Sequence, residues 1–288
     1  MTLRLATTDF VLPGQPARAR LRASPSLVVG AACLGAALFA AAVSLFWTPY
    51  PAQAIDVQAR LAGPSAAHWL GTDPFGRDVA SRILEGARNA LFVGTVAVAL
   101  GAGFGIALGL LAAAAARWLD EAIGRAADLV FAFPAILSAI LLSLLLGPGM
   151  VTATLAIAIF NVPVFARLAR SAAGVVWQRE FVRAAAALGK GRTRITLDHV
   201  LPNIAGLLLV QASASFAIAI LAEAALSYLG LGTQAPAASW GRMLFEARTY
   251  LAQAPTLALF PGLAIAVVVL GANLVGDAQR DSLDPRRD

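Results

Sequence analysis

The sequence predicts an all-α polytopic membrane protein, a bundle of six transmembrane helices with both termini in the cytoplasm. Hydrophobic residues make up 59% and charged residues 13% of the chain of 288, and the mean hydropathy is +0.76. A water-soluble domain of that size cannot hide so much apolar surface. The apolar residues also fall in long blocks: 26–46, 89–116, 129–150, 151–166 and 256–276 carry no charge, and 204–231 carries only Glu223. A helix needs roughly 20 apolar residues to cross a hydrocarbon core about 30 Å thick. Barrel strands would alternate over about 10 residues instead, so helices fit and a barrel does not. With six spans, sixteen lysines and arginines fall on one side and six on the other. That bias sets the richer side in the cytoplasm. The basic balance therefore reports topology, and no nucleic-acid partner is expected.

Taken in order, residues 1–25 read as a cytoplasmic tail with scattered prolines and arginines, ending in a basic anchor. The first span, 26–47, stops at Trp47-Thr-Pro-Tyr50. Its apolar block is longer than the roughly 7–15 residues of a secretory leader, and 25 residues precede it, so it reads as an anchor despite the small-residue run Ala52-Gln-Ala54. Cys33, the one cysteine, sits in this block as a small packing residue. Residues 48–88 form an external segment in which four acids balance four arginines, the composition of a solvated loop. A five-helix core spans 89–276. Its first helix carries Gly101, Gly105 and Gly109 at every fourth position, so another helix can approach closely along one face. The third span begins near Asp128 and holds Pro134; the fourth holds Asn161 and Pro163 and reaches Arg170. Prolines there free a carbonyl, which lipid cannot satisfy, so both spans are expected to face protein or a wet cavity. Asn161 is expected to bond a neighbouring helix rather than to touch cargo. Residues 277–288 form a cytoplasmic tail.

Two polar features stand apart. Glu223 is the one acid well inside an apolar block, which raises proton coupling as a reading. No acid, histidine or lysine lies near it at helical spacing, so a structural hydrogen-bonding role is expected. The second feature is the loop 171–203 between the fourth and fifth spans. From Glu180 to Leu188 the residues are mostly good helix formers with an acid at the N-terminal side. Gly189 and Gly191 permit a turn, and Pro202 limits the return into the bilayer. Alanines between charges let another protein approach closely, whereas they are small for an amphipathic helix lying on lipid.

The wording of this loop resembles the EAA loop of bacterial ABC-importer permeases: two alanines, three residues, a glycine, then Leu-Pro thirteen residues on. Ala184, Ala185, Gly189, Leu201 and Pro202 occupy those places, and Glu180, Arg183 and His199 match the variant of the peptide/nickel branch. The run His68 to Asp78, with Gly71, Thr72, Asp73, Gly76, Arg77 and Asp78, is similar to a signature of the C-type permease of dipeptide and oligopeptide importers. Glu223 to Gly232, Ser239-Trp-Gly241, Phe260-Pro-Gly262 and Gly276 to Pro285 resemble the same subunit's last third and tail.

The resemblance implies a type I importer permease of the bacterial inner membrane. It implies a second, B-type permease, two cytoplasmic ATPases that hold the ATP and magnesium, and an extracytoplasmic substrate-binding protein. Dipeptide or oligopeptide is the implied cargo, with nickel or another small solute as the alternative. The loop around Ala184 to Gly189 would sit in an ATPase groove. The run His68 to Asp78 would meet the binding protein or brace the external gate. In this chain itself no cofactor, metal site or enzymatic activity is expected. Leu188 to Thr193 lacks the glycine and hydroxyl spacing of a P-loop, and His68 and His199, the two histidines, are assigned to opposite sides of the membrane. A proton-coupled secondary transporter using Glu223 is the rival from another class.

Overall fold

The computed structural model describes residues 24–115 and 117–283; residues 1–23 of the expected tail 1–25, and the last five residues of the expected tail 277–288, lie outside them. Among the described residues the regular structure is helical throughout. Five helices are long and apolar enough to cross a membrane: α1 (Pro25–Phe46), α2 (Val79–Ala114), α5 (Met150–Trp177), α8 (Leu201–Tyr228, continued from Arg192) and α10 (Thr256–Leu283). A sixth crossing is made if α3 (Arg117–Ala132) and α4 (Ala135–Leu146) count as one broken span. Short helices α6 (Glu180–Ala187) and α7 (Arg192–Ile195) lie between α5 and α8, and α9 (Trp240–Ala247) precedes α10.

The centre of the bundle is the contact between α2 and α5. At Gly101 an added Cβ would fall 2.3 Å from Asn161 Cβ, at Gly105 2.5 Å from the Val162 carbonyl, and at Gly109 2.4 Å from the Ala166 carbonyl. The ladder expected from the glycine spacing is thus a backbone-to-backbone seam, and Phe165, Ala166 and Ala169 fill it to full burial. A second seam holds α1 to α10, where Gly30 packs on Leu274 and Gly271 packs on Cys33. Ser24 caps α1 by accepting from Leu27 N at 3.2 Å, with Pro25 at the first turn, where its missing N–H costs nothing.

The third span differs from its expected course. A helix already begins at Arg117 rather than near Asp128, and at Phe133–Pro134 the chain breaks into two helices bent by 87° instead of staying one span with a proline inside it. Proline removes the N–H that would continue α3. Charge carries the helix N-terminally past its apolar block: Asp120 accepts from Arg170 Nη2 at 2.6 Å, and Asp128 pairs with Arg167, whose guanidinium lies 4.5 Å from the Phe131 ring. The fourth span likewise runs past Arg170 to Trp177. Among the described residues Asn161 does not bond a neighbouring helix as expected: its Nδ2 donates to the Ile157 carbonyl of its own helix at 2.9 Å.

Gly105→Leu is expected to force the α2–α5 seam apart and to cost about 1–3 kcal/mol by overpacking. Gly103→Ala, one turn-face away with open space around its Cβ position, is expected to be neutral or slightly stabilising. Thermal midpoints of the detergent-purified proteins compare the two.

Candidate coupling turn and external ion cluster

The loop between α5 and α8 is built as a rigid turn. The helix α6 ends in a two-bond lock: Gly189 N donates to the Ala186 carbonyl at 3.0 Å and Lys190 N to the Ala185 carbonyl at 3.2 Å. That motif places Gly189 at φ +80°, a left-handed conformation that side chains resist. One side of α6 faces the bundle through Val182, which is fully buried, and Ala185, which packs on the main core. The other side presents Phe181, Ala184 and Leu188, one stripe at helical spacing, with Leu188 88% exposed and Phe181 46%. Glu180 occupies the first turn, where its charge suits the helix dipole, and Arg183 is exposed beside the stripe.

The return limb of the turn is tied down by charge. Lys190 Nζ lies 2.9 Å from Asp198 Oδ2 and 3.0 Å from His199 Nε2, and the His199 ring meets Phe181 edge-on at 6.2 Å. Arg192 Nη1 donates to the Ala114 carbonyl at 2.7 Å, a cation on the C-terminal end of α2, and its guanidinium lies 5.9 Å from the Trp177 ring at the end of α5. The turn therefore touches α2, α5 and α8 at once. Pro202 does not interrupt the return: the helix is continuous, and the residues before it, Thr196–Val200, form a π-helical turn in which Leu201 N bonds the Thr196 carbonyl. The wider turn gives room to a proline ring that would crowd the Asp198 carbonyl and offers it no N–H. Leu201 is half-buried there, and Asn203 Nδ2 donates to the His199 carbonyl at 2.6 Å. No sequence signal marked Arg192 or the π turn; the first needed the position of the end of α2, the second the helical continuity across Pro202.

At the opposite end of the bundle, the run His68 to Asp78 folds into an ion cluster. Asp78 caps α2, accepting from Ser81 N and Oγ at 2.8 Å, and its other oxygen meets His68 Nδ1 at 2.9 Å. The second span, α2, consequently starts at Val79, ten residues before its apolar block. Asp73 Oδ2 accepts from Arg77 Nε at 2.6 Å and from Arg82 Nη1 at 2.7 Å. Both guanidinium groups also reach Glu246 Oε2 on α9, at 2.7 and 3.0 Å. Two acids and two arginines thus form a closed ring, all four buried or nearly so. Gly71 and Gly76 both have φ near +80°, and a Cβ at Gly76 would fall 1.7 Å from the Asp56 carbonyl. Thr72 Oγ1 accepts from Ala62 N at 2.9 Å and donates to the Ala59 carbonyl. The polar residues of this run point inward, as a brace does. Glu246, which no sequence motif singled out, closes the ring.

Glu223 lies on the same end, 1% exposed. Its Oε1 accepts from Ser227 Oγ at 2.7 Å and from Thr233 Oγ1 at 3.4 Å, so it pins the end of α8 to the following loop. Asn161 and Glu223, the two intramembrane polar candidates, lie on different helices and are not brought into one site. Among the described residues no group of three metal-ligating side chains converges.

Comparison with known proteins gives consistent likenesses. A family described as "Binding-protein-dependent transport system inner membrane component" matches residues 105–288. The dipeptide transport system permease protein DppC of Alkalihalophilus pseudofirmus is 50% identical, over 79% of this chain and 75% of the relative. The glutathione transport system permease protein GsiD of Pectobacterium atrosepticum is 44% identical, over 84% and 82%. A putative peptide permease protein of Brucella suis is 40% identical, over 90% and 86%. Among solved structures, a chain of the inward-facing MetNI methionine ABC transporter superposes with a TM-score of 0.59 at 16% identity, over 69% of this chain and 95% of that one. The last is a likeness of fold.

Asp73→Asn removes one charge from the ring and leaves Arg77 and Arg82 dependent on Glu246. It is expected to cost about 3–5 kcal/mol, the usual effect of breaking a buried pair. Adding Arg82→Met should recover part of that loss, a coupling that a double-mutant cycle on thermal stability measures.

Proposed function

The chain belongs to the family of binding-protein-dependent transport system inner membrane components, and on that premise we propose that it carries short peptides inward as one of two permease subunits of an ABC importer. The observation that carries the reading is the exposed stripe Phe181–Ala184–Leu188 on a short helix within a turn that touches three membrane helices. A bundle that served only itself would have no use for a leucine presented to water at that place. Small residues around one protruding apolar side chain fit a groove on a partner, and the partner that supplies work is a pair of ATPases holding ATP and magnesium. Closing of that pair pushes on α6. The push reaches α5 and α8 through the chain itself and α2 through Arg192.

Peptide cargo is supported by the names of the relatives, which transport dipeptide and glutathione. A groove of about 320 Å³ inside the α3–α4 bend, lined by Phe133, Leu141 and Phe160 among others, offers an apolar wall for the path. The second permease would complete that wall, and an extracytoplasmic binding protein would deliver cargo at the end carrying the ion cluster. A proton-coupled carrier is less well supported, because Glu223 is enclosed by Ser227 and Thr233 rather than open to a path.

Leu188→Asp tests the proposal. Burying a leucine against a partner is worth about 1.5–3 kcal/mol, so its loss should weaken ATPase docking by about tenfold or more. ATP-dependent uptake of a dipeptide by reconstituted vesicles should fall accordingly, while the thermal midpoint of the purified chain stays unchanged. Full uptake by the variant would sink the reading.

A further inference from the structure

The segment 48–78 has the composition of a solvated loop, and Asp56 and Arg60 in its first half are exposed, yet the charges of its second half are turned inward: Asp73, Arg77 and Asp78 are all buried. What it turns outward is aromatic. Trp47, the residue after α1, is 53% exposed and Trp69 is 60% exposed, with their ring centroids 6.2 Å apart. The two are held at one level by Tyr50, whose N donates to Ser81 Oγ at 3.0 Å and whose hydroxyl donates to the Ala67 carbonyl at 3.0 Å. Leu70 packs into the same apolar cluster as Ala37 of α1. On the span side of this pair the outward residues of α1 are Leu38, Phe39, Leu45 and Phe46. The exposed apolar side chains of the first span thus lead to the Trp47–Trp69 pair at its end.

We infer that this turn lies on the bilayer, with Trp69 in the headgroup region of the outer leaflet beside Trp47. Tryptophan prefers that zone because one end of its ring is apolar and the other carries a hydrogen-bond donor. The pair stands at the end of the outward apolar side of α1, and the neighbouring His68 is engaged with Asp78 at 2.9 Å. The occupant of the strip is phospholipid at the headgroup–acyl boundary. The ion ring behind it then braces α9 against a turn that is anchored in the membrane.

The test uses the full chain, purified with its membrane partners and reconstituted in phosphatidylcholine–phosphatidylglycerol vesicles. In a Cys33→Ala background, nitroxides are attached at Trp69→Cys and, separately, at Trp47→Cys. The expected result is the same depth at both sites, with oxygen collisions exceeding those of a water-soluble nickel chelate. Free access of the chelate to position 69 while 47 is shielded would overturn the inference. So would shielding of 69 that appears only when the extracytoplasmic binding protein is added. Trp69→Phe, which needs no label, gives an independent readout. Lipids brominated near the headgroup should quench a larger share of tryptophan emission in the parent than in this variant; equal quenching contradicts the placement.

Discussion

The seam between α2 and α5 is the constraint on which the rest of the structure depends. In lipid, apolar side chains gain little by leaving one apolar surface for another, so helices associate through close packing. Gly101, Gly105 and Gly109 remove the side chains that would hold the two backbones apart, and the pair becomes one body. Everything attached to that body then moves with it. At one end α5 runs directly toward the coupling turn, and Arg192 fastens the turn back onto the last carbonyl of α2. At the other end α2 begins inside the ion ring that holds α9.

The two ends solve opposite problems. The external end uses buried charge in a complete ring, in which Asp73 and Glu246 each receive Arg77 and Arg82 and Glu246 also receives Arg242 at 3.2 Å. A ring of this kind is not strong because salt bridges are strong; it is costly to break because no member can be removed without stranding another. The end carrying α6 is held on one side and open on the other. Its inner side is anchored through Val182 and Ala185, while Leu188 stands almost wholly in solvent.

Much of this was legible in the sequence. The uncharged blocks mark the spans, because a bilayer demands a run of apolar residues whatever their order, and the glycine spacing marks the seam. The coupling turn was legible for a similar reason: a glycine after a run of alanines is the signal of a helix ending in a left-handed residue, which Gly189 bears out. Helix ends set by polar contacts were not legible. Asp78 starts α2 well before its apolar block, and Asp120 and Asp128 draw α3 back to Arg117 by pairing with arginines some 40 to 50 residues later. The consequences of single prolines were also underdetermined. Pro134 turns the chain by 87°, whereas Pro202 is absorbed by one wide turn, and the difference lies in the residues packed around each.

The place of the exposed α6 stripe in the assembled transporter decides whether this turn receives work from a partner. A photoreactive amino acid at position 188, activated in intact membrane vesicles with and without ATP, reads that position directly. The expected result is an adduct with the ATPase subunit from position 188 and none from position 182, whose side chain is buried in this chain's own core. Adducts from position 188 with lipid alone, in both nucleotide states, would contradict a coupling role for this turn.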